Sequence, residues 1–254
     1  VWEENIARYH VAASHYRLGN LATAAAEAKH VYQSGIEIGD IQASGIALDL
    51  LVRATGKISA EALEIELEHV RYDVQGTAQV KLAGGVRLLM LDRPAEAAAF
   101  LGSSLQDVEK TDVKNAWTFP LRTWLASALR REAEKAAELT PEDRRKLLNR
   151  AWNVAKKAVK IARTFQTELP HALRECGLIA AEFGQIRKSR RFFDESLAVA
   201  VRQGAKFEHA QTLHARGRIG KLHNWPDAQQ DLVNARQALT NLGGNFCLPD
   251  ESVP

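Results

Sequence analysis

Paired histidines are the residues of this sequence whose type and spacing come closest to a metal or acid–base site. His10 and His15 are five residues apart, as are His209 and His214. Two zinc ligands on one helix face are separated by four residues, so this spacing places the rings on different faces. The sequence therefore predicts no metal ion and no cofactor, and we interpret these histidines as solvent-facing or groove-lining side chains.

Patterns for phosphate binding and for covalent catalysis are incomplete. Gly56-Lys57 in ATGKIS lacks the upstream glycine and the following Ser or Thr of a P-loop, so we interpret it as a turn. Gly84-Gly85 lies in a helical pattern with no strand before it, which favours close helix packing. The sequence contains no nucleophile elbow and no kinase signature. Carboxylates brought together by folding remain an open alternative, but nothing selects a pair, and we predict no catalytic residues.

Positive charge is concentrated in one part of the chain. Residues 121–221 hold 22 basic and 11 acidic side chains, although the whole chain has a formal net charge of only +3. Lys146, Arg150, Lys157 and Lys160 fall on one side of a predicted helix and form a possible basic patch. Such a stripe could bind nucleic-acid phosphates or an acidic partner, or it could be a solvated outer face. No aromatic residues are interleaved for base stacking, which argues against single strands.

The composition indicates a globular helical protein. Of the 254 residues, 46% are hydrophobic and 26% are charged, and no stretch is long and apolar enough for a membrane span. Cys176 and Cys247 form neither a disulfide framework nor a zinc motif, which fits a reducing cytoplasm. Because the sequence begins with Val1 rather than Met, we interpret it as a piece of a longer protein, with residues 245–254 as a C-terminal linker.

Glycines divide the sequence at regular intervals. A residue just past a helix end often has positive φ, which glycine adopts without a Cβ clash. A constant separation between two such glycines implies a helix of constant length, about five turns. Separations of 20 residues, or nearly so, occur at Gly19 and Gly39, Gly56 and Gly76, Gly184 and Gly204, and from the turn at HNWPDA to Gly243-Gly244.

Small residues recur with a period in the high thirties, which is typical of stacked helical hairpins. They are Ala24, Ala62, Ala97, Ala151, Ser189 and Ala228, and one longer spacing predicts an insertion around residues 110–145. Thr140-Pro141-Glu142-Asp143 fits a capped helix start. The sequence predicts twelve helices in six antiparallel pairs: 3–18 with 21–38, 40–54 with 59–74, 77–91 with 95–109, 115–138 with 141–165, 168–183 with 186–203, and 206–222 with 226–242.

These hairpins share small and large positions with a known family. In the fifth copy the positions are Gly177, Gly184, Ser189, Phe193 and Ser196. With them, the sequence resembles a tetratricopeptide repeat (TPR) array, although it lacks the family's proline at the repeat end. The stretch FFDESLAVAVRQGAKFEHAQTLHARGRIG is similar to TPR-like regions of bacterial STAND-class ATPases, which are attached to kinases, nucleotide cyclases or transcription regulators.

The resemblance implies a fold and a function. The expected fold is all-α, an α-α superhelix (right-handed solenoid) of about six TPR-like pairs over residues 1–244. The expected function is non-catalytic: a cytoplasmic protein-interaction or effector-sensing module that binds a peptide, a partner protein, a small effector or other domains of its own polypeptide in a concave groove. The alternative is a nucleic-acid-binding array that uses residues 121–221. Groove positions matched to the family are Tyr9, Arg17, His171, Arg174, Glu182, His209 and Arg216.

Two aromatic residues lie outside this helical pattern. Trp117 and Phe119 in NAWTFP precede Pro120 and have no clear helical register. Large aromatic side chains that helix packing does not require are suited to contact a ligand or partner. Trp117 and Phe119 are therefore the best candidates for an exposed anchor. The alternative for Trp117, and the expected role of Trp124, Trp152 and Trp225, is packing between hairpins.

Overall fold

A computed structural model describes residues 2–111, 113, 115–135 and 139–242. This part of the chain contains twelve α-helices, one 3₁₀-helix at Gln166–Glu168, and no strand. The α-helices are α1 (Trp2–Leu18), α2 (Leu21–Ile38), α3 (Ile41–Thr55), α4 (Ala60–Glu68), α5 (Val74–Met90), α6 (Pro94–Lys110), α7 (Pro120–Lys135), α8 (Pro141–Ala162), α9 (Leu169–Glu182), α10 (Ile186–Gln203), α11 (Lys206–Leu222) and α12 (Ala228–Asn241).

Consecutive helices pack as antiparallel pairs, and each pair packs against the next. The odd-numbered helices form an inner layer in which each contacts the next odd-numbered helix. The even-numbered helices cover that layer from outside. The predicted all-α superhelix is confirmed. Its stripes of small and apolar residues are buried only because neighbouring pairs stack in a row.

Most of the predicted turn glycines have the expected backbone conformation. Positive φ angles between 63° and 84° occur at Gly19, Gly39, Gly56, Gly184 and Gly204. The prediction for Gly76 is wrong, because Gly76 lies in the first turn of α5, where its N–H donates to Asp73 Oδ1 at 2.6 Å. Gly243-Gly244 lies outside the described residues.

Two predicted helix boundaries are corrected by local side-chain contacts. Helix α4 ends at Glu68 rather than 74, since Asp73 caps the start of α5. Helix α7 begins at Pro120 rather than 115. There, Asn115 Oδ1 accepts the N–H groups of Trp117 at 2.9 Å and of Thr118 at 3.1 Å, which is an Asx turn and not a helix.

Close approach between paired helices depends on small residues. A side chain on Gly177 of α9 would collide with the ring of Phe193, which is fully buried on α10. In the same way, Phe100 and Leu101 of α6 occupy the space beside Gly84 and Gly85 of α5. The interpretation of Gly84-Gly85 as a packing feature is confirmed.

The fourth pair contains the additional residues expected around 110–145. A connection of irregular structure precedes α7, and α8 has 22 residues. Residues 136–138, between α7 and α8, lie outside the described residues, as do Cys247 and the predicted linker at 245–254. None of the helices in the described ranges has the length and apolar character needed to cross a membrane.

The end of the array packs against its beginning. Leu21 of α2, Phe207 and Ala210 of α11, and Leu239 of α12 form one buried cluster. The turn at Gly19 approaches the start of α11 so closely that an added Cβ would lie 3.1 Å from Phe207 N. We call this contact the closure. It joins the C-terminal end of α1 to the N-terminal end of α11, so the concave side is not an open groove along its whole length.

Candidate functional site

A pocket of about 310 Å³ lies where the closure meets the inner helices. Its walls come from α1, α3, the segment before α7, the 3₁₀-helix, and the turn between α10 and α11. We call it the central pocket. The lining residues that matter for its chemistry are Tyr16, Arg17, Asp49, Arg53, Trp117, Glu168, Phe207 and Glu208.

Asp49 is a buried carboxylate in which only one of the two oxygens has a hydrogen-bond partner among the described residues. Its residue exposure is 1%, and its Oδ2 accepts a hydrogen bond from Arg53 Nη2 at 2.5 Å. Its Oδ1 is buried and has no hydrogen-bond partner among the described residues. Burial raises the pKa of Asp49 to about 6, although Arg53 acts in the opposite direction. At neutral pH Asp49 is therefore largely ionised, and its buried Oδ1 lacks a donor among the described residues.

Arg53 connects Asp49 to a second carboxylate of the pocket. Its Nη1 lies 3.4 Å from Glu168 Oε1, and its guanidinium carbon lies 5.0 Å from the centre of the Tyr16 ring. Burial alone would raise the pKa of Glu168, but His171 and Arg53 outweigh it and lower that pKa below its usual range. Arg53 thus forms ion pairs with both Asp49 and Glu168.

Aromatic rings form the apolar side of the central pocket. Trp117 is half-buried, and its ring lies 5.3 Å from that of Tyr9 and 5.9 Å from the Arg17 guanidinium carbon. Tyr16 and Phe207 lie 6.1 Å apart across the closure. Flat rings beside a carboxylate suit a ligand that has both an apolar body and a polar group.

A row of charged side chains, most of them buried, runs from the central pocket into the inner layer. His171 lies between Glu168 and Glu175, with nitrogen–oxygen distances of 3.8 and 3.7 Å. Glu175 in turn accepts from Arg130 Nε at 2.7 Å, and Arg130 Nη1 donates to both oxygens of Glu134 at 2.8 Å. We call these five residues, with Asp49 and Arg53, the charge row.

The charge row favours the charged forms of His171 and Glu175. Burial and Arg174 oppose the charged form of His171, but Glu168 and Glu175 outweigh them and raise the pKa of His171. Burial also opposes ionisation of Glu175, yet Arg130 and His171 lower its pKa far below the usual range. The row therefore alternates negative and positive groups through the inner layer.

The far end of the charge row borders a second pocket, of about 370 Å³, which we call the basic pocket. Its cationic lining residues are Arg130, Arg131, Lys135, Arg144 and Arg218. Arg131 donates to Leu89 O at 3.1 Å and to Asp92 Oδ1 at 3.0 Å. Arg144 pairs with Glu182. Carboxylates and carbonyls of the protein thus already engage much of the positive charge in the basic pocket.

The predicted groove residues near the central pocket have different environments. Arg17 lines the pocket and is exposed. Tyr9 is buried beneath it and accepts a hydrogen bond from Gln79. His171 and Arg174 are also buried, His171 in the charge row and Arg174 against Glu208, which is itself a pocket residue.

The remaining predicted groove residues lie elsewhere. Glu182 lines the basic pocket, and His209 lies beside the closure in another depression. Arg216 pairs with Asp194 and Asp231, each at 2.7 Å, across the last three helices. The structure therefore does not bring the seven predicted residues together on one surface.

The histidines and the basic patch also differ in their surroundings. His10 is exposed, as expected for a solvent-facing histidine. The prediction of a solvent-facing or groove-lining side chain is wrong for His214, which is buried and whose pKa is lowered by burial to about 4.

The basic patch predicted on α8 is partly neutralised. Lys146 pairs with Glu142 and Asp143, and Lys157 pairs with Glu109 at 3.0 Å. Arg150 and Lys160, the other two residues of the patch, are exposed.

The sequence analysis missed Asp49, Arg53 and Glu168. A signal for the first two was present, since Asp49 and Arg53 are four residues apart inside the otherwise apolar helix IQASGIALDLLVRAT. Charges in such a stripe are buried only when they are paired or functional. Glu168 gave no comparable signal, because its segment is short and irregular.

Comparison with known proteins supports the fold alone. No protein-family model matches this chain, and no curated protein matches it. Among solved structures, it is similar to the crystal structure of BtubC (BKLC) from P. vanneervenii, with a TM-score of 0.59 and 13% identity. The match covers 92% of this chain and 96% of that one. At this identity, the two proteins share the course of the backbone without any implied common ligand.

Proposed function

We propose that this chain is a non-catalytic, effector-sensing module of a multidomain bacterial signalling protein, and that a small effector binds in the central pocket. The signalling context follows from the TPR-like resemblance of the sequence. The single observation that supports the site is a pocket with aromatic walls whose lining includes Asp49, a buried residue with a carboxylate oxygen that has no donor among the described residues. Unsatisfied buried polar atoms are rare in proteins and are often completed by a ligand or water.

The size and shape of the central pocket favour a small effector over an extended peptide. Its volume of about 310 Å³ is that of a compact ligand site. The closure blocks the path that an extended segment would follow along the inner helices. A protein partner or another domain of the same polypeptide would then contact the outside of the array.

The pocket also offers a way to transmit binding. One wall belongs to the first two pairs, and another belongs to the turn that begins the sixth pair. A ligand that contacts both walls binds the closed arrangement more tightly than an opened one, so it shifts the population towards closure. An attached domain would sense that shift through the relative position of the two ends of the array.

A small-molecule screen by thermal shift and calorimetry tests this function. We expect hits that raise the unfolding temperature and lose their affinity in Ala116→Trp, because Ala116 lines the pocket and an indole would fill it. Ala26→Trp is the matched control, since Ala26 is exposed on α2. Hits that bind Ala116→Trp unchanged, or a screen without hits, would contradict the proposal.

The nucleic-acid alternative remains a prediction that rests on the exposed cations of α8. Phosphate contacts make affinity fall steeply with salt, and the log–log slope steepens by close to one for each contact. The nucleic-acid alternative is wrong if a DNA duplex binds weakly and its affinity depends little on salt, to the same extent in the unmodified protein and in the double variant Lys157→Gln/Lys160→Gln. A steep slope that decreases in this variant would favour it over effector sensing.

A further inference from the structure

We infer that a cavity between α6, α7 and α8 binds a small organic anion: a negatively charged group beside Lys160, joined to an apolar body that packs against Phe119 and Ile161. We call this cavity the α8 cleft. It is a second site, separate from the central pocket, and it does not rest on the proposed function. Two features of its lining lead to this inference: an excess of accessible positive charge, and apolar side chains that are only half-buried.

The α8 cleft lies on the other side of the segment before α7 from the central pocket. Its volume is about 680 Å³. Pockets for organic ligands commonly enclose roughly 300–1,000 Å³. Val113 and Phe119 line the cleft, whereas Ala116 and Trp117 of the same segment line the central pocket. The two cavities share this wall but have no described lining residue in common, so a ligand in one leaves the other open.

The charged groups of the cleft favour an anion. Three cations and one carboxylate line it: Arg122, Lys157, Lys160 and Glu109. Arg122 Nη2 and Lys157 Nζ donate to the same oxygen, Glu109 Oε1, at 2.7 and 3.0 Å. Three cations less one carboxylate leave an excess of two positive charges. This excess attracts a negative group and repels a positive one.

Lys160 is the cation that is available to a ligand. Its side chain lines the cleft and is exposed, and it forms no ion pair among the described residues. Its own helix offers no carboxylate nearby, because the sequence contains no Asp or Glu between Asp143 and Glu168. A ligand anion at Lys160 therefore does not have to displace a protein carboxylate.

Apolar side chains form most of the remaining lining. Phe119, Ile161 and Phe165 line the cleft and are half-buried, so part of their apolar surface is accessible there. The rings of Phe119 and Phe165 lie 4.5 Å apart, edge to face. Leu105 and Val108 of α6 also line the cleft. An apolar body gains free energy by covering such surface, which an inorganic anion does not cover.

The spacing on α8 places the two kinds of group side by side. Lys157 precedes Lys160 by three residues and Ile161 by four, so all three side chains belong to one face of the helix. Neighbours at these spacings have Cβ atoms about 5–6 Å apart. A compact molecule with an anionic group close to its apolar body therefore reaches both.

The test titrates the full chain by NMR with four probes: 4-phenylbutanoate, 4-phenylbutan-1-ol, 4-phenylbutylamine and butanoate. We expect 4-phenylbutanoate to bind about 3- to 5-fold more tightly than the alcohol, which is the range of one exposed ion pair. The amine should be the weakest of the three phenyl compounds, because the cleft repels it. Butanoate should bind more weakly than 4-phenylbutanoate, because it has no ring to bury.

Two variants attribute the binding to the cleft. Lys160→Glu should weaken 4-phenylbutanoate about 10-fold and the alcohol little, because it replaces an attraction by a repulsion. Ile161→Thr should weaken both compounds to a similar extent, because it removes apolar surface. Lys29→Glu is the matched control, since Lys29 is an exposed lysine on α2, outside the cleft. Thermal unfolding of each variant establishes that it is folded before titration.

The outcomes separate this site from the central pocket. Ala116→Trp should leave 4-phenylbutanoate affinity unchanged, and this pair of variants assigns the hits of the wider screen to one cavity or the other. Binding that is lost in Ala116→Trp and unchanged in Lys160→Glu would overturn the cleft and support the central pocket. Equal binding of the alcohol or the amine would overturn the anion, and equal binding of butanoate would overturn the apolar body. Equal effects of Lys160→Glu and Lys29→Glu, or no binding of any probe at millimolar concentration, would overturn the site.

Discussion

The central pocket and the basic pocket border the same charge row, but they differ in how completely their charged groups are hydrogen-bonded. In the basic pocket, all three nitrogens of Arg130 donate to Glu175 or Glu134. In the central pocket, Asp49 has one oxygen bonded and one oxygen free among the described residues. The number of charges in a cavity therefore says less about binding than whether one of them is unsatisfied.

This difference also changes the meaning of the charge distribution. The excess of basic residues in 121–221 draws attention to the half of the chain that contains the basic pocket. Folding pairs several of these cations with carboxylates, as for Arg130 and Glu175, which are 45 residues apart. Asp49, with one carboxylate oxygen unpartnered among the described residues, lies before residue 121, in a helix that is mostly apolar.

The largest expected effect is at Arg130, at the end of the charge row beside the basic pocket, where all three side-chain nitrogens donate to carboxylates. Arg130→Met should lower the free energy of unfolding by about 3–5 kcal/mol, because it leaves Glu175 buried without its main partner. Arg144→Met in the same pocket should cost less than about 1 kcal/mol, since its pair with Glu182 is partly exposed. Urea unfolding measures both, and equal losses would remove the contrast between buried and exposed pairs.

The closure should show a somewhat smaller effect, with a local signature. Leu21→Ala removes a buried side chain from the closure and should cost about 3 kcal/mol. Hydrogen exchange should then accelerate at the start of α11, beside the central pocket, and less in α7 and α8. Uniform acceleration through all helices would mean that the closure is not a separate structural element.

The middle of the charge row should make stability depend on pH. Folding raises the pKa of His171, so its stabilising contribution is fully present below the unfolded value of 6.5 and is lost as pH rises through the folded value. Every tenfold gain in proton affinity on folding corresponds to about 1.4 kcal/mol. Unfolding measured from about pH 5.5 to 9 should show this loss, and His171→Gln should show a flatter profile. An identical profile in the variant would exclude His171 as the source.

The smallest expected effect is at Asp49, at the end of the charge row where one carboxylate oxygen has no hydrogen-bond partner among the described residues. Asp49→Asn should change stability at neutral pH by less than about 1 kcal/mol, because Arg53 keeps Glu168 and a buried charge is removed. Burial raises the pKa of Asp49 from 3.8 to about 6, so folding favours its protonated form. Native stability should therefore fall as pH rises from about 4 through 6, and the variant should lack this component. A loss as large as that of Arg130→Met would mean that Asp49 is a structural residue.

The sequence alone determined the helical hairpins and their order. Glycines such as Gly39 and Gly204 end helices because only glycine adopts positive φ without strain, and this is a local property. Apolar stripes at helical spacing specify which face is buried, which again needs only neighbouring residues. Predictions were wrong where a side chain redirected the backbone, as at Asn115 before α7 and Asp73 before α5.

Only the tertiary structure decided where the candidate site lies. Asp49, Trp117 and Glu168 come from three distant segments, and Phe207 reaches them only because the sixth pair packs against the first. That closure depends on the accumulated angle between successive pairs, which no local pattern encodes. Whether a charge is free or paired depends on the same packing, since partners such as Arg53 and Glu168 are 115 residues apart.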